Sequence, residues 1–356
     1  MRSERQANFE LLRIIAMFMI IALHYLNKGN VIAPYTDDQS AVNYAAHLIE
    51  AFCIVAVNCY VLISGYFLVE ADWKANHAGI IVAQVLFYCI LIPVILICTG
   101  QLRLHDLSVY DWLTYLLPIE TEHYWFATAY LVMYMLAPLL AAGVRAVERR
   151  TLRVVIGLLL LYFCIWKSLI PTTIATDHYG YDFGWFICLF LIAAYIRLYG
   201  LTFLNQKWGA ALFYTVMCLC IFILTIVSSV LSQTKEVFAY YIGMPTTYNH
   251  ILCLLGAIGL FMLFKNMRAW EGKIAEIIKR LSRYTFGVYL LHEHALVRYQ
   301  WMQWLGVDRV QGSFLFVPHM IVCILIVYVL GTIIDCIRTW FFEETDNVMD
   351  SIDYIN

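Results

Sequence analysis

The stretch from Asn8 to Lys28, NFELLRIIAMFMIIALHYLNK, decides the fold. It is long enough to cross a bilayer, which takes about 20 apolar residues. Yet it carries an arginine, Arg13, near its start and a histidine, His24, near its end. At about 100° per residue, the separation of eleven positions is three turns plus roughly 20°, so both side chains share one helix face. At about 1.5 Å per residue they stand roughly 16 Å apart along the axis, about half the hydrocarbon thickness. Glu10 lies one turn before Arg13, in position to pair with it. A charge inside an apolar span costs on the order of 2.5–3.5 kcal/mol by insertion scales, so it faces a partner or a wet cavity. Singly, Arg13 reads as a residue snorkelling to the interface and His24 as a polar helix contact. On one stripe, they favour a functional face.

The composition extends this reading to the whole chain. Of 356 residues, 63% are hydrophobic and only 13% charged, against about 25% charged in a soluble domain. An all-α, polytopic membrane protein is expected, with no soluble domain between its spans. Windows of about 20 apolar residues give ten spans, roughly 9–27, 47–69, 77–98, 122–142, 152–170, 183–200, 208–231, 248–265, 283–300 and 314–335. Between them, residues 99–121 are amphipathic and aromatic, as suits a membrane interface. No repeat or linker divides the chain, so one domain is expected over 1–356, a helical core at about 8–338 with a short acidic cytoplasmic tail at 339–356. A net charge of −2 points away from nucleic acid. The eleven cysteines form no C-x-x-C pair and read as small buried hydrophobes. No cleavable signal peptide is expected, because Arg13 interrupts the first apolar run and many similar spans follow.

Orientation follows from the basic residues. With ten spans, sixteen of the 23 Lys and Arg fall on the N-terminal side and six on the other, with Arg13 inside the first span. The positive-inside rule then puts both termini in the cytoplasm. The runs RAVERRTLR (145–153) and KNMRAWEGKIAEIIKRLSR (265–283) concentrate that charge. They read as topogenic signal or as a docking surface for an anionic cytosolic ligand. Arg13 opens toward the same side.

Other polar residues punctuate the spans. The second ends VNCYVLISGYFLVE (57–70), where Asn58 is polar and Ser64-Gly65 allows close backbone approach. The fourth begins ETEHYWFATAYLVMY (120–134), with His123 and Trp125 at the outer interface. The ninth, LSRYTFGVYLLHEHALVRY (281–299), carries Tyr284, Tyr289 and His292, with His292, Glu293 and His294 near its outer end. His24, His47, Glu50, His292 and His294 could converge at the outer face, but no recognised ligand spacing occurs and no metal is expected. No G-x-S-x-G elbow exists, so a serine triad lacks support.

Arginine, ten residues and histidine in a first span resemble the opening of the acyltransferase-3 family of integral membrane acyltransferases, which O-acetylate surface polysaccharides and related acceptors. NFELLRIIAMFMIIALH looks like the family's start, and VAVNCYVLISGYFL like its second-helix ending. HYWFATAYLVMYMLAPLL is similar to its fourth-helix pattern, and LSRYTFGVYLLH to its late Ser-Tyr…Tyr-Leu-x-His pattern. The likeness runs in order from residue 8 to about 335, without an appended hydrolase-like or racemase domain, so a stand-alone version is expected. The resemblance implies a cytosolic acyl-CoA donor, usually acetyl-CoA, and as acceptor the hydroxyl of an extracytoplasmic or lipid-linked glycan. It also implies residence in the cytoplasmic (inner) membrane of a bacterial cell. Carried over residue by residue, His24 matches the family's essential histidine and Arg13 its arginine. Ser64, Gly65 and Tyr66 match a donor-side motif, and Trp125 and His292 match positions near the reaction chamber.

Residue chemistry and resemblance fit together. A pantetheine arm can extend inward while its phosphates stay at a basic cytoplasmic mouth held by Arg13, Arg283, Tyr284 and the 265–283 run. Glu10 would orient Arg13. His24 would meet the thioester three turns up, as general base for the acceptor hydroxyl or as a transient acyl carrier. His123, Trp125, Tyr289 and His292 would line the acceptor side. The reading from another class is a transporter or flippase for an amino acid or lipid-linked sugar. Transporters also place charge in spans, but they show inverted repeats and interrupted helices that are not evident here.

Overall fold

The computed structural model describes residues 5–172, 174–268 and 270–352, with side chains as far as Phe342. Arg2, and the side chains of most of the expected acidic tail, lie outside the described residues. Sixteen α-helices and no strand occur among the described residues. They are α1 Ala7–Lys28, α2 Ala41–Cys53, α3 Ala56–Leu68, α4 Ala75–Cys98, α5 Val109–Leu116 and α6 Trp125–Ala146. Next come α7 Arg149–Leu160, α8 Trp166–Leu169, α9 Phe183–Tyr199, α10 Lys207–Ser232, α11 Tyr240–Gly243 and α12 Ile251–Lys265. The last are α13 Lys273–Leu281, α14 Thr285–Glu293, α15 Gln300–Trp304 and α16 Phe316–Ile352.

Eight segments among the described residues are long and apolar enough to cross a membrane. The protein is a polytopic, all-helical membrane protein. Two of the ten expected spans are not among these eight: α9, with 17 residues, and α14, with nine. The expected span 283–300 stops as a helix at Glu293 because His294 adopts an extended ψ of 136°, and its Nδ1 then accepts the Leu296 amide at 3.2 Å. Such a short element is tolerated at membrane depth only when protein surrounds it. Accordingly α14 is buried along most of its length, packed on α1, α4 and α16.

Exposed apolar side chains mark the lipid-facing helices: Ile90 and Val94 on α4, Leu139 on α6, Leu158 on α7, Leu212 on α10 and Ile333 on α16. By contrast α1 is the axis of the bundle, packed on α2, α3, α12, α13, α14 and α16. Its Leu12, Ala16, Ile21, Tyr25 and Leu26 are fully enclosed. Close approaches tighten this centre. A Cβ on Gly65 would lie 2.9 Å from the Phe190 backbone, so glycine is what lets α3 and α9 meet. A Cβ on Gly287 would lie 2.3 Å from the Asp335 carboxyl carbon. Asp335 is buried and accepts from Gln84 (3.0 Å), Tyr88 (3.0 Å) and Arg338 (2.7 Å), tying α4 to α16. A buried carboxylate is tolerable when it is hydrogen-bonded and paired with a cation, as here.

The amphipathic stretch 99–121 holds α5, opened by a capping box between Ser108 and Asp111. The Ser108 hydroxyl and amide draw the Asp111 carboxyl below the usual carboxylate range. Reading every cysteine as buried fails for Cys98 and Cys336, which are exposed, and for Cys220, which is half-buried. They sit on helix faces turned away from the core, where a small soft side chain is compatible with lipid.

Candidate active site

One cavity of about 880 Å³ runs through the bundle, walled by α1, α3, α4, α6 and α14. Arg5, Glu10, Arg13, Ser282 and Arg283 line one end, and His24, Asn27, Lys28, Glu50, Glu293 and Arg298 line the other. The stripe on α1 therefore forms one wall of the cavity from end to end.

At the first end Glu10 is buried and organises its neighbours. Its carboxylate accepts Arg13 Nη1 at 3.1 and 3.3 Å and the Ser282 hydroxyl at 2.6 Å, with Arg5 Nε 3.7 Å away. Tyr60 fixes the α1 backbone by donating to the Arg13 carbonyl at 2.6 Å. Ser64 lines the cavity here, whereas Gly65 packs on α9 and Tyr66 packs against Phe9, Phe67 and Phe261. Arg283 is exposed and lines the opening. Tyr284 is turned toward Arg280 and Cys336, off the cavity.

At the other end His24 is held in one orientation. His24 Nδ1 lies 3.0 Å from His292 Nε2 and 3.1 Å from Glu293 Oε2. The Val288 carbonyl must accept from His292 Nδ1, 2.6 Å away. A neutral His292 therefore presents a lone pair at Nε2. A proton on His24 Nδ1 satisfies both this lone pair and the carboxylate, which leaves the His24 Nε2 lone pair free. Nε2 has no hydrogen-bond partner among the described residues, and His24 lines the cavity. Lys28, one turn beyond His24, bonds both Glu293 oxygens and holds that carboxylate in place. Asn27 donates to Glu50 at 3.0 Å, and the His47 ring meets the same carboxylate at 3.3 Å.

The wall opposite is aromatic. Trp125 stacks on Tyr248 at 5.7 Å and meets Tyr181 at 4.5 Å, and all three line the cavity. Their placement comes from buried polar links behind them. Lys167, fully buried, pairs with Asp177 at 2.6 Å and donates to Asn249 at 2.8 Å, pinning the loop before α9 to the start of α12. Asn58 donates to the Tyr248 carbonyl at 2.7 Å and accepts from Trp185 at 3.0 Å.

Of the residues expected on the acceptor side, Trp125 and Tyr289 line the cavity. His292 sits behind His24. His123 lies outside the lining, its ring 4.6 Å from that of His294. Glu293, Lys28, Asn27, Tyr181 and Tyr248 were not among the expected site residues. Lys28 and Glu293 carried a legible signal, being one turn from His24 and next to His292. Tyr181 and Tyr248 carried none.

Two clusters among the described residues bring donor atoms within 4.8 Å of one another: His24, His292 and Glu293, and Cys89, His123 and His294. In the first, the atoms already bond to each other and the carboxylate holds an ammonium. In the second, the Leu296 amide occupies the lone pair of His294 Nδ1, which puts the proton on its Nε2, and His123 Nε2 is buried without a hydrogen-bond partner among the described residues.

A family model described as an acyltransferase domain matches residues 6–336, nearly the whole chain. The protein belongs to the acyltransferase-3 family, and it is a membrane-embedded acyltransferase. No curated protein and no solved structure matches it.

Proposed function

We propose that the protein moves an acetyl group from cytosolic acetyl-CoA to a hydroxyl of an extracytoplasmic or lipid-linked glycan, in the cytoplasmic membrane of a bacterial cell. The observation that carries this reading is the single cavity joining a basic end at Arg5, Arg13 and Arg283 to an imidazole with a free Nε2 at His24. The coenzyme phosphates suit the basic end, where a guanidinium can grip phosphate in two-pronged fashion. The pantetheine arm then reaches along the α1 stripe. The aromatic wall of Trp125, Tyr181 and Tyr248 suits a sugar ring approaching from the far side.

His24 acts as general base. Its Nε2 takes the proton of the acceptor hydroxyl as that oxygen attacks the thioester carbonyl and the new C–O bond forms. The tetrahedral intermediate collapses, the C–S bond breaks, and the departing sulfur recovers the proton from the imidazolium. Glu293 and His292 hold Nδ1 and so select the tautomer that exposes the base. Transport, the other reading open to the sequence, gains no support from the family.

The test is purified protein in nanodiscs with labelled acetyl-CoA and candidate glycans. Label appearing in an alkali-labile glycan ester, with none retained on the protein, supports the reading. Label accumulating on His24 would replace the general base with an acyl carrier, and flux of unmodified solute without acyl-CoA consumption would overturn the assignment.

A further inference from the structure

The His24 end carries one guanidinium with a buried nitrogen that finds no acceptor among the described residues. Lys28 is held by both oxygens of Glu293. Glu50 is taken up by the Asn27 amide at 3.0 Å and the His47 ring at 3.3 Å. Arg298 is left over. Its nearest carboxylate contact is Nη1 to Glu293 Oε1 at 3.8 Å, beyond hydrogen-bond distance. Its Nε is buried without an acceptor among the described residues. The guanidinium lies 5.5 Å from the Tyr299 ring centre and lines the cavity.

A guanidinium presents five donors in a planar fork that suits carboxylate and phosphate. Buried donors in native proteins have acceptors, and each exception calls for a missing partner. Glu293 already holds Lys28 and orients His24, and its nearest oxygen stays 3.8 Å from the guanidinium. Arg298 thus presents a donor without an acceptor among the described residues beside the base, where the acceptor hydroxyl must come, while Lys28 and Arg298 together balance Glu293 and Glu50.

We propose that Arg298 is a specificity residue that binds an anionic group, carboxylate or phosphate, carried by the saccharide acceptor close to the acylated hydroxyl. This rests on the reading that the acceptor meets the acyl group at His24. A neutral sugar leaves the Arg298 fork empty. An anionic sugar fills it and is held with its hydroxyl toward His24 Nε2.

The test uses the full-length protein in nanodiscs and equilibrium binding of three labelled probes: methyl glucuronide, glucose 1-phosphate and methyl glucoside. At least one anionic probe should bind the wild type about tenfold more tightly than the glucoside, as expected for a charge-assisted pair. In Arg298→Gln, checked for wild-type elution and melting, that preference should fall to about twofold or less; Arg298→Lys should keep an intermediate value. Absence of an anion preference in the wild type, or its survival in Arg298→Gln, overturns the proposal. A parallel arm compares consumption of acetyl-CoA and succinyl-CoA. Selective loss of succinyl-CoA use in Arg298→Gln, without any Arg298-dependent glycoside preference, would assign the anion to the acyl chain and also overturn it. A wild type that prefers anionic glycosides but consumes no acyl-CoA would count against acyl transfer and leave the anion site standing.

Discussion

At the scale of single residues, the two ends of the cavity make different demands. His24 must present an unprotonated Nε2, and that depends on the contacts at Nδ1. His24→Ala should lower transfer on the order of 10²–10⁴-fold, the span one positioned proton-transfer group contributes, while elution and melting stay near wild type. Full activity in a folded His24→Ala protein would remove it from the reaction. Glu293→Gln tests the positioning separately. The amide keeps the shape but removes the charge that holds Lys28 and the His24 Nδ1 proton. The imidazole should then lose its tautomer preference, so kcat should fall while the KM for the donor stays within about twofold and the pH–rate profile shifts. An unchanged profile would make Glu293 only a partner for Lys28. Arg13 should behave in the opposite way. Arg13→Lys keeps the charge but not the fork, so the KM for acetyl-CoA should rise with kcat little changed; an unaltered donor KM would take Arg13 out of the donor site.

At the scale of elements, α14 shows why a short helix can carry the site. Nine residues cannot span a bilayer, yet they deliver Tyr289, His292 and Glu293 because α1, α4 and α16 enclose them. The enclosure depends on Gly287 lying against Asp335. Gly287→Ala places a methyl group 2.3 Å from that carboxyl carbon, well inside van der Waals contact, so α14 or Asp335 must move and the contacts of Asp335 with Gln84, Tyr88 and Arg338 must loosen. A loss of about 1–3 kcal/mol in stability is expected from such overpacking. Transfer should fall with it, since α14 also sets the position of His24. Unchanged melting and activity would mean that α16 shifts freely. The pairing of Arg13 with Glu10, and the shared face with His24, were legible because they depend only on helical period within one segment. The end of α14 was not, because no proline or glycine follows Glu293 and the stop lies in the backbone turn at His294. Nor were Tyr181 and Tyr248, which enter from loops fixed by the distant Lys167–Asp177 pair. Periodicity describes a helix face; it says nothing about which loops are folded against that face.

For the whole molecule, the direction of transfer is a question of which end of the cavity faces the cytoplasm. The cavity itself is asymmetric in charge. One end gathers Arg5, Arg13 and Arg283, and the other balances Lys28 and Arg298 against Glu293 and Glu50. A phosphate-rich coenzyme and a hydroxyl acceptor would therefore sort to opposite ends even without a membrane. The bilayer adds that they cannot exchange sides, so acyl transfer becomes vectorial if the ends open to different compartments. The excess of Lys and Arg on the Arg13 side predicts that this end is cytoplasmic. Glu120 and Glu271 are both exposed, before α6 and before α13 respectively. In intact cells a membrane-impermeant maleimide should label Glu120→Cys above the native-cysteine background, whereas Glu271→Cys should label only after permeabilisation. The reverse pattern would put the basic end outside, where no cytosolic acyl-CoA could reach it, and would overturn the donor assignment with the orientation.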